Sequence, residues 1–297
     1  MGCADVVPGV SGGTMAFILG IYEELIESIR VLATPRVLGP LFRFDIAELL
    51  KVVRWKFLGC LLFGILTAVL SLAKVLEHAL NGYPVYVWSF FFGLVLASVF
   101  TVSKRLEKWT TGVVVLLVVG TVAAYLIVGM VPLQTPEEAW FLFLSGALAI
   151  CAMILPGISG SFILVVLGKY EYVLHAVNER DLVTLLIVAC GCAVGLVAFA
   201  QILGWFLRHF HGWTLALLIG FMVGSLRKIW PWKETVRTIL DRHGHEIPAE
   251  QINFLPDHLG AEVGIAFVLL LVGFGVVLML DRIGHREATM DQIPLKG

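Results

Sequence analysis

Six uninterrupted apolar runs, each close to the ~20 residues that let a helix cross a bilayer, dominate this chain of 297 residues. They lie near 56–77, 84–103, 111–131, 182–207, 213–229 and 262–281. Apolar residues make up 59% and charged residues 14%, against about 45–50% and about 25% in soluble domains. That excludes a water-soluble fold, and the expected class is an all-α polytopic membrane protein. Most of the eight tryptophans stand at the ends of the runs, where an amphipathic ring suits the headgroup zone. The net charge of -1 leaves no basic field for nucleic acid. Five cysteines in apolar stretches form no disulfide or metal framework.

Two further apolar stretches are interrupted by glycine and proline, 1–26 around Pro8-Gly9-Val10-Ser11-Gly12-Gly13 and 138–174 around Pro156-Gly157-Ile158-Ser159-Gly160-Ser161. They align at an offset of 148, with eight identities in sixteen positions: Pro8/Pro156, Gly9/Gly157, Ser11/Ser159, Gly12/Gly160, Leu19/Leu167, Gly20/Gly168, Tyr22/Tyr170 and Glu23/Glu171. Each copy is followed by three apolar runs, and Gly93 and Ser98 answer Gly220 and Ser225. The chain therefore reads as a duplication. Residues 1–135 form one half, with a hairpin around 1–30, and 136–297 the other, with a hairpin at 138–174. Only seven residues precede Pro8, so the first hairpin arm is expected to be truncated.

As one helix the second broken segment would be ~55 Å long, against an apolar slab of ~30 Å. Two arms about a Pro-Gly turn fit a re-entrant hairpin instead. Three crossings per half then invert the second half relative to the first, as in secondary transporters. With residues 27–56 inside, counting Lys and Arg favours a crossing segment instead, because Arg227, Lys228, Lys233, Arg237 and Arg242 fall outside in one loop. Length and the repeat favour the hairpin.

Glycines at a break uncover backbone N–H groups, and a helix starting there directs its positive end at the gap. Such an end attracts anions. The expected binding set for a small anionic group, phosphate above all, is Ser11, Gly12, Gly13 and Thr14 with Ser159, Gly160 and Ser161. Asp5, in an apolar run, is a candidate proton or cation carrier. Glu23 and Glu171 are candidates for gating, and Lys169 for guiding a phosphate. Arg30, Arg105, Arg208 and Arg227 read as snorkelling anchors, and Gln201 as an interhelical hydrogen bond. No histidine stands at metal spacing or beside a serine, so no catalytic residue, metal or cofactor is expected. Coupling to a proton or sodium ion stays open. The residues by themselves reach a transporter for an anionic group, with an anion channel or exchanger and an intramembrane lipid phosphatase as alternatives.

The string Ala4-Asp5-Val6-Val7-Pro8-Gly9-Val10-Ser11-Gly12-Gly13-Thr14, with Gly20-Ile21-Tyr22-Glu23 behind it, closely resembles the signature of the bacterial polyprenyl-phosphate transporter family. Leu155-Pro156-Gly157-Ile158-Ser159-Gly160-Ser161 matches it again. The resemblance implies a multi-pass protein of the bacterial inner membrane that returns undecaprenyl phosphate, the carrier lipid of peptidoglycan synthesis, from the outer to the cytoplasmic leaflet. The partners implied are the polyprenyl-phosphate lipid and membrane lipids.

Overall fold

The computed structural model describes residues 1–2, 11–32, 34, 37, 39–40, 43, 45–130, 135–240, 246–256, 258 and 260–290. Among these, helices α1 (Gly12–Ile18), α2 (Tyr22–Leu32), α3 (Ile46–Val52), α4 (Trp55–Gly82), α5 (Pro84–Ser103) and α6 (Thr111–Ile127) fall in the first expected half, residues 1–135. The second contains α7 (Ala139–Ile154), α8 (Gly160–Val166), α9 (Tyr170–Asn178), α10 (Leu182–His209), α11 (His211–Ser225) and α12 (Ala261–Met290). An antiparallel pair, β1 (Lys233–Leu240) and β2 (Glu246–Asn253), separates α11 from α12. From sequence this stretch is expected to be a loop; it forms a strand pair instead.

Local chemistry sets the helix starts. Pro84 opens α5, where its missing N–H is no loss. Thr110 caps α6 by accepting from the Val113 N–H. Asp181 caps α10 by accepting from the N–H groups of Val183 and Thr184. The Thr184 hydroxyl and these amides hold the Asp181 carboxyl below its ordinary range.

The three most extensive helix contacts are α6 on α11, α5 on α12 and α7 on α10. In each the two helices run parallel. Gly112 of α6 meets Trp213, Gly120 meets Leu217 and Gly220, and Tyr125 meets Arg227. Gly93 of α5 meets Leu270 and Arg105 meets Asp281; Phe143 of α7 meets Gly191 and Ala147 meets Gly195. Glycine is required at these crossings. A Cβ on Gly93 would lie 2.0 Å from the Leu270 carbonyl oxygen, and one on Gly191 2.0 Å from that of Phe143.

The halves correspond closely. α4 and α10 each span 28 residues, and both lead through similar linker residues, Tyr83 at φ -138, ψ 53 and Phe210 at φ -136, ψ 47, into α5 and α11. Gly93 on Leu270 with Gly273 on Phe90 repeats Gly220 on Leu117 with Gly120 on Leu217. Gly2 packs on Ile65 of α4 as Gly191 and Gly195 of α10 pack on α7.

α4, α5, α10 and α12 are long and apolar enough to cross a membrane. Two of the six expected crossings are shorter: α6 has 17 residues and α11 has 15. At 1.5 Å per residue they reach only ~26 and ~22 Å, less than the hydrocarbon slab. α11 stops early because its chain turns at Leu226–Ile229 beside the second break, the buried Ile229 docking among Phe91, Leu94 and Val95.

Candidate functional site

The two glycine-rich breaks touch. Ser11 sits in extended backbone ahead of α1, accepts the Gly13 N–H at 3.1 Å, and donates its hydroxyl to the Met153 carbonyl at 2.9 Å. Met153 lies in the last turn of α7, across the repeat. Thr14 accepts the Gly157 N–H at 3.0 Å, and the Tyr22 hydroxyl donates to the Ile154 carbonyl at 3.2 Å. The end of α7 leaves carbonyls without helical partners, and the first motif supplies donors for two of them. Gly13 permits the approach: a Cβ there would stand 2.5 Å from the Ile154 oxygen.

Ser159 has nearly the same backbone as Ser11, φ -95 and ψ 135 against φ -111 and ψ 138, but its hydroxyl pairs with Ser161 at 2.8 Å. Gly157 turns the second break at φ +92, with the Ser225 hydroxyl where its Cβ would be. Ser11, Gly12, Gly13, Thr14, Ser159 and Gly160 are buried, whereas Ser161 is exposed. The constellation thus opens to its surroundings at Ser161. Gly20 and Gly168, at φ +71 and +63, mark the matching bends into α2 and α9; α8 and α9 meet at 107°.

Asp5, Pro8 and Gly9 lie outside the described residues. Glu23 is exposed and pairs with His211 at 2.8 Å at the start of α11. Glu171 is half-buried in the first turn of α9. Lys169 is only 2% exposed. Its Nζ donates to the Thr135 carbonyl at 2.9 Å and faces the rings of Phe141 and Tyr172, with no carboxylate within 4 Å among the described residues. Of the expected anchors, Arg208 and Arg30 bracket Glu27, and Gln201 donates to the Arg30 carbonyl.

Beside the second break stand Lys228 and Lys233, to which the sequence pattern assigns no role, and Arg227, which it reads as an anchor. Lys228 Nζ lies 4.8 Å from the ring of Phe162, the residue after Ser161. Lys233 Nζ donates to the Lys228 carbonyl at 2.5 Å and sits 3.7 Å above the Trp88 ring. Arg227 stacks on Tyr125 at 4.3 Å and donates to its carbonyl. The β-pair pins this turn: Asn253 donates to the Arg227 carbonyl and Trp230 to that of Phe254. Burial, reinforced by Lys228, pulls the Lys233 ammonium down to about 7; burial, reinforced by Arg227, also lowers Lys228. The available signal was their charge, since these cations fell on the side where basic residues are unfavoured.

No group of three His, Cys, Asp or Glu could hold a metal among the described residues. A family model described as undecaprenyl phosphate translocase-like matches residues 1–247. A polyprenyl-phosphate transporter of Vibrio cholerae is 42% identical over 292 residues, covering 96% of this chain and 94% of that protein. Another, from Staphylococcus aureus, is 34% identical over 250 residues, covering 78% and 83%. No solved structure matches.

Proposed function

From membership of the undecaprenyl phosphate translocase-like family, to which this chain belongs, we infer how it translocates polyprenyl phosphate across the bacterial cytoplasmic membrane: by inverted halves whose re-entrant hairpins meet at the headgroup path. Support for re-entry comes from helix direction. α6 runs parallel to α11, and α7 to α10. If α10 and α11 each cross once, those directions require that the segment from α7 to α9 enter and leave on one side. α4 and α10 then point oppositely, which is the inverted arrangement. With residues 27–56 cytoplasmic, the second hairpin opens outward.

The contact between the breaks is the observation that carries the mechanism. Ser11, Thr14 and Tyr22 of one half hold Met153, Gly157 and Ile154 of the other. A phosphate reaching the helix starts at Ser11 and Ser159 would compete for these same hydroxyls and amides, so headgroup binding loosens the bonds that hold the halves together. Rocking of the halves then exposes the site to alternate leaflets. The prenyl tail remains in lipid beside the bundle throughout.

Transport, not hydrolysis, is the assigned activity. Ser11 gives its proton to a backbone carbonyl and Ser159 pairs with another hydroxyl, so among the described residues neither serine is seen against a base of the kind that activates a nucleophile, which supports the transport reading. Coupling to a proton or sodium ion would fall to Glu23, Glu171 or Asp5. Reconstitution into liposomes with labelled undecaprenyl phosphate tests the reading. Leaflet exchange should require the protein and fall at least tenfold in a folded Ser11→Val/Ser159→Val variant. Flux of a soluble anion, or release of inorganic phosphate, in place of lipid exchange would overturn it.

A further inference from the structure

Three cations gather around the exposed side of the second break. Arg227, Lys228 and Lys233 are each half-buried, and none has a carboxylate within 4 Å among the described residues. Their polar partners are backbone carbonyls, of Tyr125 for Arg227 and of Lys228 for Lys233. Half-buried cations without counterions repel one another; burial first, and Lys228 second, push the Lys233 ammonium down. An anion placed among them would relieve both.

The surroundings restrict the anion. Trp88, Phe162 and Tyr125 wall the three charges, and Trp230 and Phe92 pack beside them at 5.4 Å between ring centroids. Such walls suit a ligand whose charged head is joined directly to an apolar chain. Lys228 also touches the residue next to Ser161, the exposed end of the breaks, so a head held here stands at the entrance to the buried motif.

We propose that Arg227, Lys228 and Lys233 form a receiving site for a phosphate monoester carried on a prenyl chain, which takes the headgroup on the side where the second hairpin opens and passes it to Ser161 and Ser159. This rests on the translocation reading and adds the point of entry. The halves are unequal here. By the offset of 127 that joins Gly93 to Gly220, Lys228 corresponds to Thr101, which is buried and uncharged, its hydroxyl oxygen without a hydrogen-bond partner among the described residues. The receiving site therefore belongs to one side of the membrane.

The test uses the full chain in nanodiscs, with farnesyl phosphate, farnesol and inorganic phosphate as probes. Farnesyl phosphate should bind the parent protein and farnesol should not. Lys228→Gln/Lys233→Gln should weaken binding at least tenfold, whereas Lys228→Arg stays within threefold. Weak competition by inorganic phosphate assigns the site to the lipid headgroup; equal competition keeps the phosphate site but overturns the lipid assignment. A folded double variant that binds as tightly as the parent overturns the site.

A second measurement needs no variant. Pyridoxal phosphate trapped with borohydride should label Lys228 or Lys233, and farnesyl phosphate should protect them; labelling confined to other lysines overturns the proposal. Both readouts are separate from lipid exchange by the parent protein in liposomes. Absence of exchange there defeats the translocation reading while leaving the labelling result to stand or fall alone.

Discussion

The chain that follows each glycine-rich motif bends alike at Gly20 and Gly168 and differs in charge beyond the bend. Gly20 and Gly168 bend the chain alike, and Ser11 and Ser159 open short helices with nearly equal dihedrals. Beyond the first bend, however, α2 carries three carboxylates that each have a basic partner: Glu23 with His211, Glu24 with Arg54, and Glu27 with Arg30 and Arg208. Around the second, Lys169, Lys228, Lys233 and Arg227 have carbonyls and aromatic rings but no ion pair among the described residues. Repetition of the backbone builds two equivalent turns. Only the side chains distinguish an exit whose carboxylates are paired with basic groups from one whose cations are paired with carbonyls and aromatic rings.

The largest expected effect comes from the turn itself. Gly157→Ala should destabilise the protein by about 3 kcal/mol, combining ~1–3 kcal/mol of positive-φ strain with ~1–3 kcal/mol of overpacking against the Ser225 hydroxyl. Gly20→Ala meets only the Arg105 guanidinium at 3.8 Å and should cost ~1–2 kcal/mol from strain alone. Thermal unfolding in detergent measures both, and equal losses would show that the two turns are packed alike.

A smaller effect concerns pH. Lys233 titrates at about 7, so it is charged below that value and neutral above it. Among the described residues the charged group acting on it is Lys228, which in turn feels Arg227; Trp88 of α5 and its strand partner Asn253 are neutral. A phosphate monoester acquires its second charge near pH ~6. Farnesyl phosphate should therefore bind best between those values and about tenfold more weakly by pH ~8.5, where a group titrating near 7 is almost wholly deprotonated. Affinity that rises above pH 7 would remove Lys233 from the site.

The smallest effect tests the exit with paired carboxylates. Glu27 is partly exposed, and exposed pairs contribute ~0–1 kcal/mol, so Glu27→Ala should shift stability by no more than that and leave lipid exchange within twofold. A larger loss of exchange would mean that the first exit also handles the substrate.

Much of this was legible along the chain. Pro84 and Ser103 bound α5 where the apolar run ends, and the second glycine motif falls at the break between α7 and α8 because a turn that requires glycine, as at Gly157, leaves an identifiable residue. The lengths of α6 and α11 were not legible, since an apolar run does not say where packing stops the helix: Leu226 and Ile229 continue the run but leave it to dock against α5. The β-pair was missed because its residues alternate too irregularly to stand out in a polar stretch. The cations of the 226–233 turn were assigned to a loop because nothing in their spacing points to Phe162 or Trp88.

By itself the sequence determined that the chain is a polytopic helical membrane protein and that glycine-rich motifs interrupt its apolar stretches, because apolar length and required residue types are local properties. Tertiary structure decided which hydroxyls bond across the breaks, which carboxylates are neutralised, and which cations stand without a counterion. The decisive ones join atoms over a hundred residues apart in sequence, such as Ser11 with Met153 and Arg208 with Glu27, and distance through space is set only when helices pack.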